Sequence, residues 1–252
     1  MYNIPANTLF CGQNLIYLPS CHSTNDIALQ TAATMPAAEG TIIITSDQTA
    51  GKGQKGNKWE SAPGKNLTFS LILKPAFISP LYQFDLNISV SLAVFETLTK
   101  YLGERVKIKW PNDIFYGNSK ISGILIENTI KGQTLETAII GIGVNVNQQV
   151  FNVITANSIF NITGKPHELN SIFHELCQAL EKYYLLLREG KRVLLKEKYH
   201  RHMYKVGVPS EFSTNGQCFT GTITGTDDYG FLLVEVEGKY KRFNMKEISF
   251  CD

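Results

Sequence analysis

Residues 45–70 read TSDQTAGKGQKGNKWESAPGKNLTFS, and residues 51–56 within them match the G-x-G-x-x-G pattern of a dinucleotide-binding turn. Such a turn connects a strand to a helix and is followed about 20 residues later by an acidic residue. Here residues 58–64 lead instead into an apolar stretch at 66–73 that predicts a second strand, and no acidic residue stands at the required distance. The stretch therefore excludes a dinucleotide-binding fold.

The same glycines partly match a P-loop, which needs the sequence G-x-x-x-x-G-K-[ST]. Gly51 and Gly56 have the required spacing, but the Lys-Ser/Thr pair does not follow them. Phosphate binding by another route remains open, because glycines let backbone N–H groups approach an anion and Lys52, Lys55 and Lys58 add positive charge. The alternative is a solvated basic loop without a ligand, and the loop alone does not decide between them.

The composition is that of a folded protein with little net charge. The chain has 252 residues, 43% of them apolar and 18% charged, and a formal net charge of +2. These values exclude wholesale disorder and give no bulk signature of nucleic-acid binding. No stretch approaches the roughly 20 apolar residues of a membrane span, and we expect no signal peptide. The five scattered cysteines form no C-x-x-C pair, so we expect reduced thiols, no fixed metal site and a cytoplasmic location.

Helix and strand signals alternate along the chain until its composition changes near residue 204. Helices are predicted from the Ser23 region to just before Pro36, from Pro80 to Gly103, over 170–189 and from there to about 203. Strands are predicted over 41–45, 66–73, 106–110, 120–128 and 135–147. From Val206 onward, short strands and turn residues favour a small β-barrel. We therefore predict an α+β fold with one domain over residues 1–203 and a second over 204–252.

A second informative stretch, KWPNDIFYGNSKISGILIEN at 109–128, places polar residues at strand ends. Pro111 ends a strand and sets Asn112 and Asp113 where polar groups can face a cleft. Lys120 leads into the next apolar strand, where burial of a cation is costly without an anionic partner. A plain hairpin accounts for the turn between these strands, whether or not a ligand binds there.

These stretches together resemble the biotin protein ligases, the enzymes that attach biotin to carboxylases. A third stretch, GIGVNVN at 141–147, supports the resemblance, although small residues also fit a tight sheet contact. Order and spacing of all the motifs hold from about Leu18 to Asn147. The matching residues are Ser23-Thr24-Asn25; Gln48, Gly51-Lys52-Gly53-Gln54-Lys55-Gly56 and Trp59; Lys109-Trp110-Pro111-Asn112-Asp113 with Lys120; and Gly143-Val144-Asn145.

The resemblance implies a mixed sheet flanked by helices, related to class II aminoacyl-tRNA synthetases, in a catalytic domain over residues 1–203. It also implies an SH3-like barrel over residues 204–252. Some members of the family carry an N-terminal DNA-binding domain and act as repressors. Only about 20 residues precede Ser23 here, too few for a helix-turn-helix, so we expect a ligase without repressor function and without a nucleic-acid or membrane partner.

The implied reaction joins biotin to ATP, with Mg²⁺, to give biotinyl-5′-AMP, and then transfers biotin to a lysine of the biotin carboxyl carrier protein of an acyl-CoA carboxylase. The family contains monomers and dimers, so a homodimer is possible. The implied catalytic residues are Lys120, Lys52 and Asp113. The implied biotin-binding residues are Ser23, Thr24, Asn25, Gln48, Gly51, Lys52, Gly53, Gln54, Lys120 and Gly123. The implied ATP- or adenylate-binding residues are Lys52, Gln54, Lys55, Lys109, Asn112, Asp113 and Asn145. Trp59 is assigned either packing or a ligand contact.

The glycine loop departs from the family at one position. Many relatives have an arginine where this chain has Gln54, and a neutral amide cannot replace its charge. We therefore expect the intermediate to be retained less firmly than in those relatives. Three rival functions remain: a lipoate or octanoate ligase or transferase of the same fold, a catalytically inactive biotin-responsive regulator, and a plain binding module.

Overall fold

A seven-stranded mixed sheet forms the centre of the larger part of the molecule. The computed structural model describes residues 2–5, 7–34 and 37–251, with the backbone alone for Lys55. The strands run in the spatial order β1-β2-β3-β7-β6-β5-β4; β1 and β2 are parallel and the other neighbours antiparallel. Their bounds are β1 Leu15–Cys21, β2 Ile42–Gln48, β3 Leu67–Leu73, β4 Val106–Lys109, β5 Asp113–Tyr116, β6 Ser119–Lys131 and β7 Thr134–Val144.

Helices cover both faces of this sheet. One face packs against α2, with α4 and α5 beside it, and the other packs against α1. Strand β2 shows the consequence, because Ile42 and Ile44 belong to the large core while Ile43 packs on the α1 side. The apolar run at 41–45 is buried on both faces for this reason. The helices are α1 Thr24–Thr34, α2 Phe84–Leu102, α3 Ile159–Thr163, α4 Leu169–Arg188 and α5 Arg192–Arg201.

The predicted elements are confirmed, with three omissions and small shifts of their ends. Helix α2 ends at Gly103, whose φ of 75° suits glycine and whose N–H donates to the carbonyl of Thr99. Helix α1 ends at Thr34, and Pro36, the predicted stop, lies outside the described residues. Strand β1, the short strand β5 and the short helix α3 lie outside the predicted ranges. The β1 strand is an edge strand that contains Pro19, a residue that weakens a strand signal.

The C-terminal part is a five-stranded antiparallel sheet in the order β11-β10-β9-β8-β12. In the described residues no ladder joins β11 to β12, so the predicted barrel is not closed. The boundary after residue 203 remains a prediction. None of the described helices has the length and apolar content to cross a lipid bilayer. The strand bounds are β8 Pro209–Thr214, β9 Gln217–Thr226, β10 Leu232–Val236, β11 Lys239–Phe243 and β12 Ser249–Phe250.

The expectation that all cysteines are free thiols is wrong for one pair. Cys218 on β9 and Cys251, which follows β12, form a disulfide between residues 33 positions apart. Folding of the C-terminal sheet therefore brings together two residues with no local spacing signal. Cys11, Cys21 and Cys177 are free, as expected.

The C-terminal sheet docks on the larger part through the turn between β9 and β10. The indole N–H of Trp110 donates to the carbonyl of Gly230 at 3.0 Å, and Lys196 pairs with Asp228 at 2.6 Å. Beside them, the backbone N–H of Thr226 donates to Nε2 of His200 at 2.9 Å. The sheet is therefore held next to the turn that carries Asn112 and Asp113.

His200 makes this junction sensitive to acid. Burial, and then the charge of Lys196, lowers the pKa of His200 to about 4, whereas an unfolded histidine titrates near 6.5. The unfolded chain therefore binds a proton that the folded chain does not, and stability is lost as the pH falls from about 6.5 towards 4. Between pH 7.5 and 4.5 we expect the melting temperature of the wild type to fall about 3 °C further than that of His200→Gln, whose amide oxygen can still accept from Thr226. Parallel declines in thermal scans would contradict this assignment.

Candidate active site

A cavity of about 230 Å³ opens over one end of the seven-stranded sheet. The start of α1, the glycine loop and the β4–β5 turn surround it, and β3, β6 and β7 form its floor. The C-terminal segment contributes Met245 and Lys246, which no motif or pattern in the chain had indicated. The predicted residues that line the cavity are Ser23, Thr24, Asn25, Gln48, Lys52, Gly53, Gln54, Asn112, Asp113, Lys120 and Gly123.

Neutral polar groups form the wall at the start of α1. Thr24 and Asn25 are buried there, and the backbone N–H of Thr24 donates to Oε1 of Gln48 at 2.9 Å. Ser70 on β3 lies behind them, with its hydroxyl oxygen 2.8 Å from that of Thr24 and 2.6 Å from Oδ1 of Asn25. The Nδ2 group of Asn25 donates to Glu127 at 2.7 Å. Ser70 and Glu127 were not predicted, although each interrupts an apolar strand, which was the available signal.

The glycine loop is a short hairpin rather than the start of a helix. Lys52 and Lys58 form an isolated antiparallel bridge, and the N–H of Gly53 donates to the carbonyl of Asn57 at 2.7 Å. This geometry agrees with the exclusion of a dinucleotide-binding turn. Gly51 lies behind the cavity, where a Cβ atom would come within 2.5 Å of the carbonyl oxygen of Trp59. Glycine is therefore required at this position for close approach of the loop to its own base.

An ion pair anchors the loop to α1. Nζ of Lys52 lies 2.6 Å from Oδ1 of Asp26. The hydrogen bond from Lys52 to Asp26 is the largest cause of a raised pKa at Lys52, and the Glu127 carboxylate adds to it. Because the Lys52 side chain is half exposed, a phosphate entering the cavity can compete with Asp26 for this cation without a large desolvation cost.

A second ion pair lies across the cavity. Nζ of Lys120 on β6 is 2.6 Å from Oδ1 of Asp113 on β5, and both side chains are partly buried. The backbone holds Lys120 in place, since its N–H donates to the carbonyl of Thr155 at 2.7 Å. The two charges compensate each other in the absence of a ligand. An anionic ligand can bind at Lys120 while Asp113 remains beside it.

Two of the predicted ligand residues, Asn145 and Lys109, are not among the residues that line the cavity. Nδ2 of Asn145 donates to the carbonyl of Asn157 at 3.0 Å, and the side chain is buried outside the cavity. Nζ of Lys109 lies over the ring of Phe115, 4.5 Å from its centroid, also outside the cavity. Asn112 lines the cavity, but its amide donates to the carbonyl of Ile124 across the turn. The Lys55 side chain lies outside the described part of the chain.

The floor is apolar and is shaped by Trp59. Its indole lies against Gly143 on β7, so closely that a Cβ atom there would come 2.3 Å from Cε2. Nζ of Lys120 is 5.7 Å from the ring centroid. The indole Nε1 is buried and has no hydrogen-bond partner among the described residues. Trp59 therefore packs against the sheet and also lines the cavity, and a contact with a ligand remains a prediction.

The cavity thus combines a neutral polar wall, an apolar floor and cations at its far side. A ligand with an uncharged polar head and an anionic end matches this order of groups. Among the described residues, no group of three or more His, Cys, Asp or Glu is placed to hold a metal ion. Asp113, the ion-pair partner of Lys120, is the carboxylate among the described residues that line the cavity.

Comparison with known proteins gives consistent matches. The model of the biotin/lipoate A/B protein ligase family matches residues 17–145. The bifunctional ligase/repressor BirA of Bacillus spizizenii is 30% identical over 244 residues, covering 94% of this chain and 74% of that protein. The biotin–[acetyl-CoA-carboxylase] ligase of Paracoccus denitrificans is 34% identical over 127 residues, covering 49% of this chain and 51% of that protein. A biotin protein ligase from Aquifex aeolicus in complex with biotin and ATP superposes with a TM-score of 0.80 at 26% identity, covering 95% of this chain and 99% of that one.

Proposed function

The chain belongs to the biotin/lipoate A/B protein ligase family, and from that premise we propose that it activates biotin with ATP and transfers it to a lysine of a biotin carboxyl carrier protein. The observation that carries the proposal is the pairing, within one cavity, of the neutral wall at Thr24 and Gln48 with the Lys120–Asp113 ion pair. The wall suits a ureido group, and the cation suits a carboxylate that becomes an acyl phosphate.

The polar wall favours biotin over lipoate, the other ligand class in the family name. A ureido ring has two N–H donors and one carbonyl acceptor, whereas a dithiolane ring offers no comparable groups. Lipoate would therefore supply no donor to the buried hydroxyl oxygen of Thr24. Sites built to hydrogen-bond a substrate reject an analogue that lacks those groups by large factors, because the polar groups of the site then remain unpaired.

In the first half-reaction a carboxylate oxygen of biotin attacks the α-phosphorus of ATP. The P–O bond to the departing pyrophosphate breaks, and biotinyl-5′-AMP forms. Lys120 neutralises the charge of the carboxylate and then that of the acyl phosphate. Lys52 leaves its ion pair with Asp26 and pairs with the phosphates. Mg²⁺ carried by ATP would shield the phosphate charges, and Asp113 is the oxygen donor placed to meet it.

In the second half-reaction the acceptor lysine attacks the carbonyl carbon of the mixed anhydride. A new amide bond forms, AMP leaves with the electrons of the C–O bond, and Asp113 receives the proton of the amine. The partly buried Asp113 is reachable from the cavity for this role. The apolar floor around Trp59 limits water, which would otherwise hydrolyse the anhydride.

Ligand-dependent ATP–pyrophosphate exchange tests the proposal, with biotin and lipoate compared under the same Mg²⁺ concentration. Exchange with biotin alone is the expected result. Exchange with lipoate alone would show that the polar wall at Thr24 and Gln48 does not bind a ureido group. Transfer of biotin from preformed biotinyl-AMP to a carrier domain then tests the second half-reaction. If Asp113→Asn transferred at the full rate, Asp113 would not be the proton acceptor.

Because Gln54 stands where many relatives have an arginine, we predict that this enzyme releases biotinyl-AMP readily. Gln54 lines the cavity without a formal charge, so Gln54→Arg adds a cation beside the phosphate. We expect the variant to lower the release rate of bound biotinyl-AMP about tenfold, since one charge-assisted hydrogen bond contributes roughly 1.5 kcal/mol. Gln149→Arg adds the same charge at an exposed position outside the cavity lining and serves as the control. Equal release rates in wild type and Gln54→Arg would contradict the prediction.

We propose cytoplasmic action on a carrier domain, no repressor activity and a functional division near residue 203. Self-association is open and can be measured by sedimentation velocity with and without biotin. DNA binding is tested by mobility shift with the purified chain.

A further inference from the structure

The charged residues that line the cavity are mostly cations. Among the described residues, the charged members of the lining are Lys52, Lys58, Asp113, Lys120 and Lys246. Lys52 pairs with Asp26 from outside the lining, and Lys120 pairs with Asp113. The carboxylate of biotin carries a single negative charge, whereas the triphosphate of ATP carries several. The surplus of lysine in the lining therefore matches a polyphosphate better than it matches a carboxylate.

Lys246 belongs to a tight turn between β11 and β12. The backbone N–H of Glu247 donates to the carbonyl of Asn244 at 3.1 Å, which closes the turn around Met245 and Lys246. The Glu247 carboxylate accepts from the backbone N–H of Asn244 at 2.6 Å, so a side chain also holds the two ends together. Met245 packs against the large core and lines the cavity. The turn is therefore held in place beside the cavity.

The backbone of Lys246 has a conformation that lysine rarely adopts. Its φ is 70°, and a turn with positive φ at its third residue usually carries Gly or Asn there. The Cβ atom of a lysine is disfavoured in this left-handed region. Of the described non-glycine residues with positive φ, Lys246 is the one that lines the cavity. Strained residues of this kind persist where the surrounding structure holds them, and they are concentrated at ligand sites.

The turn reaches the cavity from the side of the β4–β5 turn, which carries Asp113. Phe250 on β12 lies under Nζ of Lys109, which is 5.4 Å from the centroid of its ring. Because Lys109 is the last residue of β4, the C-terminal segment contacts the strand that leads to Asp113. The neutral wall is formed by other elements, the start of α1 and the end of β2. Lys246 therefore enters the cavity with the Asp113 segment, and the groups that suit the ureido ring come from elsewhere.

We propose that Lys246 binds the β- and γ-phosphates of ATP and then the pyrophosphate that leaves. The choice of ATP rests on the proposed function, because pyrophosphate is the product of the first half-reaction. Lys120 remains the cation for the biotin carboxylate and the acyl phosphate. Lys246 is exposed, so its ammonium group keeps most of its hydration, and its long flexible side chain can follow the leaving group.

Lys246→Gln tests the proposal, because it removes the charge and keeps a polar side chain. We expect the KM for ATP and the Kd for magnesium pyrophosphate to rise about tenfold, since a charge-assisted hydrogen bond is lost. The Kd for biotin, measured without ATP, should change by less than about twofold, and so should the rate of transfer from preformed biotinyl-AMP to a carrier domain. Pyrophosphate exchange gives the KM, and titration calorimetry gives the two Kd values.

Three further variants separate ligand binding from charge in general and from the stability of the turn. Lys239→Gln is the matched control, because Lys239 is exposed on β11 of the same sheet and lies outside the cavity lining. Lys246→Arg keeps the cation and should bind pyrophosphate within about threefold of the wild type. Lys246→Gly removes the strain at positive φ, so we expect it to melt no lower than the wild type while it binds pyrophosphate as weakly as Lys246→Gln.

The outcomes distinguish a failure of this proposal from a failure of the proposed function. Unchanged KM for ATP and unchanged pyrophosphate affinity in folded Lys246→Gln would overturn the role of Lys246, while a wild type that exchanges pyrophosphate would still be a ligase. Slower transfer from preformed biotinyl-AMP, with unchanged pyrophosphate affinity, would overturn it in favour of a contact between Lys246 and the carrier. A wild type that does not bind pyrophosphate would overturn it as well. Binding of pyrophosphate that depends on Lys246, without biotin-dependent exchange, would support the polyphosphate site and overturn the ligase proposal.

Discussion

Lys120→Ala is expected to reduce biotin-dependent pyrophosphate exchange by about 10²- to 10³-fold, the range found when one charge-stabilising donor is removed from an active site. Lys120 is the cation at the point where the carboxylate and the α-phosphate must meet, and it lies 2.6 Å from Asp113. Its loss also leaves Asp113 facing two incoming anions. Repulsion from Asp113 then adds to the loss of attraction, so we expect the effect to lie towards the upper end of that range.

The melting temperature of Lys120→Ala distinguishes a loss of catalysis from a loss of folded protein. Both side chains of the pair are partly exposed, so their mutual attraction contributes little to stability. We expect the melting temperature to change by no more than about 4 °C. Lys131→Ala is the control, because Lys131 lies on the same strand and also pairs with a carboxylate, Glu136 at 2.9 Å. Exchange activity near that of the wild type in Lys120→Ala would remove Lys120 from the mechanism.

The comparison of Lys120→Ala with Lys120→Ala/Asp113→Ala isolates the repulsion. In the double variant the unpaired carboxylate is absent, and we expect exchange to recover about tenfold over the single variant if Asp113 acts mainly by repelling phosphates once Lys120 is lost. A further loss would show that Asp113 contributes independently, as it would if it met the Mg²⁺ that accompanies ATP. Either result assigns the role of Asp113 in the first half-reaction.

Local signals are sufficient to predict much of the fold and many of the cavity-lining residues. Apolar periodicity locates β2, β3 and α2, and Pro111 with its polar neighbours marks a strand end. Residues 51–64 carry no signal for the start of a helix, and this alone excludes the dinucleotide turn. These features depend on residues close together in the chain, where turn and strand preferences act directly.

Contacts between distant segments are not predictable in this way. The Asn25–Glu127 bond joins residues 102 positions apart, and the Trp110–Gly230 bond joins residues 120 apart. The Cys218–Cys251 disulfide likewise depends on how the C-terminal strands pair. The motifs also predict Asn145 and Lys109 as ligand residues, and the structure places their side chains outside the cavity lining, in contact with Asn157 and Phe115. A motif constrains position in the fold, and the direction of a side chain depends on its neighbours.

Gly143→Ala is expected to reduce exchange about 100-fold, although the substitution adds a single methyl group. The new Cβ would come within 2.3–2.6 Å of the Cε2, Cζ2 and Nε1 atoms of Trp59. Strand β7 cannot move away, because Gly143 pairs with Thr68 on β3 on one side and with Gly123 on β6 on the other. The indole must therefore move, and the open space beside it is the ligand cavity. Misplacement of a binding surface by about 1 Å is enough to cost about 100-fold in rate.

A second substitution at the clashing residue tests this explanation. Trp59→Leu removes the three atoms that the new methyl group meets, so Gly143→Ala/Trp59→Leu should bind biotin more tightly than Gly143→Ala. If the loss came instead from damage to the sheet, the second substitution would not restore binding and would lower the melting temperature further, since it removes buried indole surface. Calorimetric titration of the two single variants and the double variant with biotin distinguishes these cases. Recovery in the double variant requires that the indole, rather than the strand, sets the shape of the biotin pocket.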